Sequence, residues 1–170
     1  MWKSFLLRPY PEPRPLEKFR RYTRSWLVPA GQSDGGRFRE WSTEESPPSH
    51  SVPPSVAVKA AAQLGGEMGF EAYHLAVMDA YFYANRNVTE ETTLVEIAVA
   101  CGFERERFRA CLHDTALAQS VLDDHNEAIQ IGVTGVPTVL VDGGLLIPGA
   151  QDLRFYRHLV AKLQPSPPQS

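Results

Sequence analysis

The residues best suited to covalent chemistry are two cysteines, Cys101 and Cys111, and their surroundings argue against that use. A reactive thiol needs a helix amino end or a cationic neighbour to become a thiolate. Cys101 closes the stripe Leu94, Ile97, Ala98, Cys101, and Cys111 lies between Phe108 and Leu112. Both fall at helical spacing on apolar faces, and neither opens a helix. The expectation is two buried core thiols, with no catalytic residue assigned. No Cys-x-x-Cys occurs in the 170 residues. The histidines, His50, His74, His113, His125 and His158, include no His-Glu-x-x-His or similar pair, so neither a metal nor a cofactor is expected. His125 falls on the core side of its helix, as a hydrogen-bonded packing residue. Gly143-Gly144 follows a strand with no helix behind it, which suits a hairpin better than a phosphate cradle.

One backbone feature has chemical interest. Pro137 stands directly before the β-branched run Thr138 to Val141. Proline cannot donate a ladder hydrogen bond, so it must sit at the beginning of that strand. The residues around it, Gly135, Val136, Pro137 and Thr138, are the candidate site.

The elements that must position this turn follow from the pattern. Trp2 to Leu7 reads as a short strand closed by Arg8-Pro9, and Pro15 opens a helix with Leu16, Phe19, Thr23, Trp26 and Leu27 on one stripe. Residues 29–54, rich in glycine and proline, read as irregular, with Phe38 and Trp41 expected to pin them to the body. A helical block follows over 55–126. Its first helix, from Ser55, stops at Gly65-Gly66, and its second carries Phe70, Tyr73, Val77 and Tyr81. Its third has a capping box, Thr93 to Glu96, and ends at Gly102; a short fourth holds Phe108, and Asp114 caps a fifth. The aromatic residues Phe70, Tyr73, Tyr81, Phe82 and Tyr83 are expected to form helical core and the wall of a groove. After Gly132 come a strand, an Asp142-Gly143 hairpin turn, a returning strand at Leu145 to Ile147, and a helix capped by Asp152 whose stripe is Tyr156, Leu159, Val160 and Leu163. This order is an α/β layout in which helices interrupt a small sheet.

The run IGVTGVPTVLVDGGLLIPGAQD from Ile131 resembles the closing part of DsbA-family, FrnE-like thioredoxin-fold oxidoreductases. MWKSFLLRP at the start is similar to that family's second strand, and 55–126 looks like its inserted helical domain. The resemblance implies a thioredoxin-like fold with a helical insertion, in which the first strand and first helix are missing. Residues 1–28 and 127–164 would build the thioredoxin-like domain, and 165–170 a disordered tail. It also implies that the Val136-Pro137 peptide is cis, so that the Val136 backbone can pair with an extended thiol or disulfide substrate, small molecule or protein. The family's Cys-x-x-Cys strand and helix would precede Met1, and a late or truncated start is expected. Without that strand, Trp2 to Leu7 and Thr138 to Val141 should face a gap with unpaired backbone groups, which invites a homo-oligomer through the open edges.

The functions open at this point are three. One is a DsbA-type thiol-disulfide oxidoreductase, inactive as a disulfide catalyst in this form. The second is a glutathione-dependent isomerase of the 2-hydroxychromene-2-carboxylate isomerase type. The third is a non-catalytic binding protein on a degenerate thioredoxin fold. A net charge of −3 and a pI near 5.9 disfavour nucleic acid as a partner, although Lys3, Arg8, Arg14, Lys18, Arg20, Arg21 and Arg24 crowd the start as a solvated face. No apolar run has the length of a membrane span, the first residues make a poor signal peptide, and two cysteines suit a reducing cytoplasm.

Overall fold

The computed structural model describes residues 1–32 and 35–163. The tail expected to be disordered at 165–170 lies outside the described residues. Two compact units divide the chain, Met1–Glu127 and Ala128–Ser170.

The first unit is helical. Helices α1 (Leu16–Thr23) and α2 (Leu27–Ala30) flank a 3₁₀ turn at Arg24–Trp26. They are followed by α3 (Val52–Phe82), α4 (Glu91–Ala100), α5 (Arg105–Leu112) and α6 (Thr115–Gln130), the last running on across the division of the chain. The core is built where α3, α4 and α5 pack on one another through Tyr73, Val77, Leu94, Val95, Ala98 and Phe108. A second cluster joins Phe19, Trp26 and Trp41, with Phe38 and Phe82 packed against it. Phe38 and Trp41 thus anchor the irregular connection, as their aromatic character suggested.

Several boundaries differ from expectation. Helix α3 starts at Val52, three residues before Ser55, because Pro53 and Pro54 fall in its first turn, where no backbone N–H is needed. Gly66, at φ 62° and ψ −153°, breaks α3 where Gly65-Gly66 was read as a stop. The capping box at Thr93 does not form. Helix α4 begins at Glu91, so Thr93 is a buried position inside its first turn, and the Glu96 carboxylate accepts from Arg86. The preceding turn is instead organised by Asn87, whose side-chain oxygen accepts from the Thr89 N–H and hydroxyl. At the other end of α4 the Phe103 N–H reaches the Ala98 carbonyl around Gly102, at φ 89°, which completes a Schellman ending.

The largest correction concerns Trp2 to Leu7, which is no strand. Its backbone is drawn against α6 and the loop before α3 instead. The N–H groups of Ser4, Leu6 and Arg8 donate to Asp124 Oδ2, His125 Nδ1 and Ser51 Oγ. The period of two is that of an extended chain. Side-chain acceptors have replaced the ladder along one edge.

The second unit holds β1 (Thr138–Val141), β2 (Leu145–Pro148) and α7 (Leu153–Leu163). The strands pair antiparallel, with Thr138 opposite Pro148 and Val141 opposite Leu145. Asp142 and Gly143 both have positive φ, at 49° and 72°, the conformation that a type I′ hairpin turn requires. The Asp152 carboxylate accepts the Phe155 N–H and caps α7. Ile147 is the one buried hydrophobic residue of the unit among those described, and the α7 stripe has none. Among the described residues the fold is mostly helical with a small two-stranded sheet.

Candidate functional site

The candidate loop is built by the way β1 begins. The Val136–Pro137 peptide is cis. The Pro137 carbonyl accepts the Gly149 N–H at 2.8 Å, and the Thr138 hydroxyl donates to the Gly135 carbonyl at 2.7 Å. The first bond ties the proline to β2, while the second closes the loop on itself. Because Pro137 faces β2, antiparallel alternation also turns Val139 and Val141 toward β2. It turns the backbone groups of Thr138 and Leu140 to the outer edge. Val136 is 51% exposed, and none of the hydrogen bonds among the described residues uses its backbone. The loop therefore offers a short extended edge with free polar groups, a surface on which another extended chain can add hydrogen bonds.

All four sequence-assigned residues, Gly135, Val136, Pro137 and Thr138, share this loop. Both cysteines belong to the helical unit. Cys101 is the C-cap residue of α4, with Sγ 3.9 Å from the Ala72 carbonyl, and Cys111 is in the last turn of α5. Each is half-buried, not the fully buried core thiol expected, because each packs at the margin of the α3–α4–α5 cluster. Burial pushes the Cys101 thiol up, away from thiolate chemistry. Among the described residues, no three His, Cys, Asp or Glu side chains gather as a metal position.

The structure also assembles a charged cluster that periodicity did not single out. Asp124 accepts from Lys59 Nζ at 2.7 Å and from the Ser4 N–H at 3.0 Å, and Lys3 Nζ lies 3.3 Å away. Its side chain is only 10% exposed. Burial opposes its charge, but these donors outweigh burial and hold the carboxyl below its ordinary range. Next to it, His125 Nδ1 accepts the Leu6 N–H at 3.1 Å, which places the ring proton on Nε2. A signal was present, since Asp123, Asp124 and His125 are consecutive polar residues on an otherwise amphipathic helix. Nothing local marked the extended chain as their partner.

The family model for the DSBA-like thioredoxin domain matches residues 44–161. The chain belongs to that family. A solved structure of a candidate protein disulfide isomerase from Nitrosomonas europaea superposes on this DSBA-like chain with a TM-score of 0.76 at 19% identity, covering 91% of this chain and 77% of the other. The cytosolic disulfide reductase DsbM from Pseudomonas aeruginosa superposes at 0.65 with 24% identity, covering 88% and 78%. Among curated proteins, the ClpXP adapter protein SpxH of Bacillus subtilis (strain 168) is 24% identical over 139 residues, 76% of this chain and 46% of SpxH. The chain therefore spans about half the length of that curated relative. No helix among the described residues is long and apolar enough to cross a membrane.

Proposed function

We propose that this chain is a docking module of the DSBA-like family, which holds an extended thiol- or disulfide-bearing substrate on the Gly135–Thr138 loop and does not itself catalyse disulfide exchange. The observation that carries the reading is the free backbone of Val136 beside the Pro137 start of β1. Substrate main chain would pair there as an added strand, with hydrogen bonds supplying affinity and side chains supplying selectivity. The catalytic half of the reading rests on the cysteines. Cys101 and Cys111 are half-buried, and burial pushes the Cys101 thiol toward the protonated form. The loop's substrate is a small molecule or a protein met in a reducing cytoplasm, the compartment that two unpaired thiols suit.

The test separates the two halves. In an insulin-reduction assay with glutathione as reductant, the chain is expected to add nothing to the background rate; catalysed turnover would refute the non-catalytic half. Titration of ¹⁵N-labelled protein with a short oxidised peptide disulfide is expected to shift the amides of Val136 and Thr138. Unmoved amides at saturating peptide would refute the docking half.

A second reading, a non-catalytic partner-binding protein, is favoured by one finding. The curated relative is named as an adapter. A glutathione-dependent isomerase is the third. It draws on DsbM having been solved with glutathione, in a structure 22% identical to this chain. Glutathione-dependent isomerisation of a 2-hydroxychromene-2-carboxylate separates it from the other two, because both of those are non-catalytic.

A further inference from the structure

Residues 37–39 form an irregular segment laid against the end of α3. Its backbone is fixed at Arg39, whose N–H donates to the Phe82 carbonyl at 2.8 Å and whose carbonyl accepts from the side chain of buried Asn85 at 3.4 Å. Phe38 packs inward, with its ring centroid 5.0 Å from that of Phe82. Its two neighbours, Arg37 and Arg39, are exposed, and both reach the ring of Tyr83, the C-cap residue of α3. The Arg37 guanidinium carbon lies 3.7 Å from the Tyr83 ring centroid, and that of Arg39 4.4 Å. Both distances are within the range of cation–π attraction. One phenol thus gathers two positive charges that repel each other.

The acids of the segment do not balance this pair. Asp79 takes Arg37 at 3.2 Å, and Arg39 has no ion pair among the described residues. The phenol responds to the surplus: contact with the Arg37 guanidinium first, and the charge of Arg39 next, hold the Tyr83 hydroxyl below its ordinary range. Each guanidinium carries five N–H donors in a planar fork, and contact with a ring face leaves donors along the edge of that fork. Two such forks and a phenol hydroxyl therefore share one exposed place, on a backbone already held in position. A carboxylate has two oxygens, enough for one fork, and Asp79 already fills that part. A phosphoryl group has three terminal oxygens and can reach both forks and the hydroxyl together, through charge-assisted bonds.

We infer that Arg37, Arg39 and Tyr83 form a binding site for a phosphoryl group, carried by free phosphate or by a phosphorylated side chain. The site lies within the helical unit and does not depend on the role of the Pro137 loop.

The chain has six tyrosines, so selective ¹³Cζ-tyrosine labelling gives six reporters, and the Tyr83→Phe variant identifies the one that matters. The probes are sodium phosphate and N-acetyl-O-phosphoserine amide, with sodium acetate at matched ionic strength as control. Both phosphoryl probes are expected to shift the Tyr83 resonance saturably and to leave buried Tyr73 in place. The Arg37→Gln, Arg39→Gln double variant alters only exposed side chains and is expected to weaken binding about tenfold, the loss that two exposed charged contacts imply. Stronger binding of the phosphoserine amide would support the site as one for phosphorylated protein, and equal binding would support it as one for free phosphate. Shifts that do not saturate, equal shifts with acetate, or an undiminished response in the double variant would overturn the proposal.

Discussion

Asp124 accepts the backbone N–H of Ser4 at 3.0 Å across 120 residues of sequence, and the same carboxylate takes Lys59 at 2.7 Å. A single nearly buried charge on α6 thus fixes the amino-terminal segment and the first part of α3 together. Removing it leaves Lys59 without its partner and the Ser4 N–H without its acceptor.

Asp124→Asn keeps the shape and removes the charge. It is expected to lower stability by about 2 kcal/mol, in the lower range for a broken, largely desolvated ion pair. Urea denaturation at neutral pH checks this. The pH dependence has a definite sign. The folded-state carboxyl lies below its ordinary value of 3.8, so the native state binds its proton less readily than the unfolded chain does. The stabilisation is complete above the ordinary value and disappears as pH falls through the folded value. The gap between wild type and Asn variant should therefore be constant from pH 6 to 8, begin to close near about pH 4, and vanish in stronger acid. A gap that stayed constant into acid would rule this account out.

Much of this fold was legible in the chain. Gly102, Gly132 and Asp142-Gly143 mark breaks that the structure places at positive φ, because only glycine, or a short polar residue such as aspartate, adopts that conformation cheaply. Asp114 and Asp152 cap helices where they were expected to, since capping is a local interaction. The misread parts depended on distant partners. An apolar run at Trp2 to Leu7 carries the same pattern whether its N–H groups meet a strand or the side chains of Asp124 and His125. Thr93 has a capping sequence, but burial against the core drew it inside the helix. At the candidate site the pattern located the Pro137 turn, because proline before a β-branched run is itself informative. It could not give the exposure of Val136, which is set by what packs nearby.

The break in α3 predicts two glycine effects with different causes. Gly66 lies at φ 62° and ψ −153°, and a Cβ there would meet nothing within 4 Å. Gly66→Ala should cost about 1–3 kcal/mol through backbone conformation alone. Gly69 is helical, but a Cβ there would lie 2.9 Å from the Ala61 carbonyl and 3.1 Å from the Phe103 ring. Gly69→Ala should cost a similar amount through crowding between the two halves of α3. Trimming Phe103 to leucine should relieve part of the Gly69→Ala cost and none of the Gly66→Ala cost. A double-mutant cycle by chemical denaturation measures this, and equal relief at both sites would contradict the assignment.

Phe108 is fully buried on α5, with its ring centroid 5.0 Å from Tyr73 and 5.6 Å from Phe103. It fills the space where α3, α4 and α5 converge. Phe108→Ala should therefore cost about 3–5 kcal/mol, the range for an aromatic cavity that cannot collapse. Phe108→Leu should lose clearly less, because most of the volume remains. Thermal melts of the two variants decide the matter. Similar losses would mean that ring–ring geometry, and not filled volume, holds this junction.

Cys101 tests how far the remaining thiols are from redox use. Burial raises its pKa, and the Ala72 carbonyl lies 3.9 Å from its sulfur, so the folded state favours the protonated, shielded form. In a Cys111→Ser variant, where Cys101 is the single thiol, reaction with a disulfide reagent at pH 7 should be at least about fivefold slower in the native state than in urea, because thiolate and access are both reduced. Linkage gives a second sign. Between the ordinary thiol pKa and the raised folded value, the native state keeps a proton that the unfolded chain releases. Stability of that variant should thus decline as pH rises above about 8.5, and Cys101→Ala in the same background should remove the decline. Native reaction as fast as in urea, together with a flat stability profile in alkali, would restore Cys101 as a candidate reactive group and would weaken the non-catalytic reading of this chain.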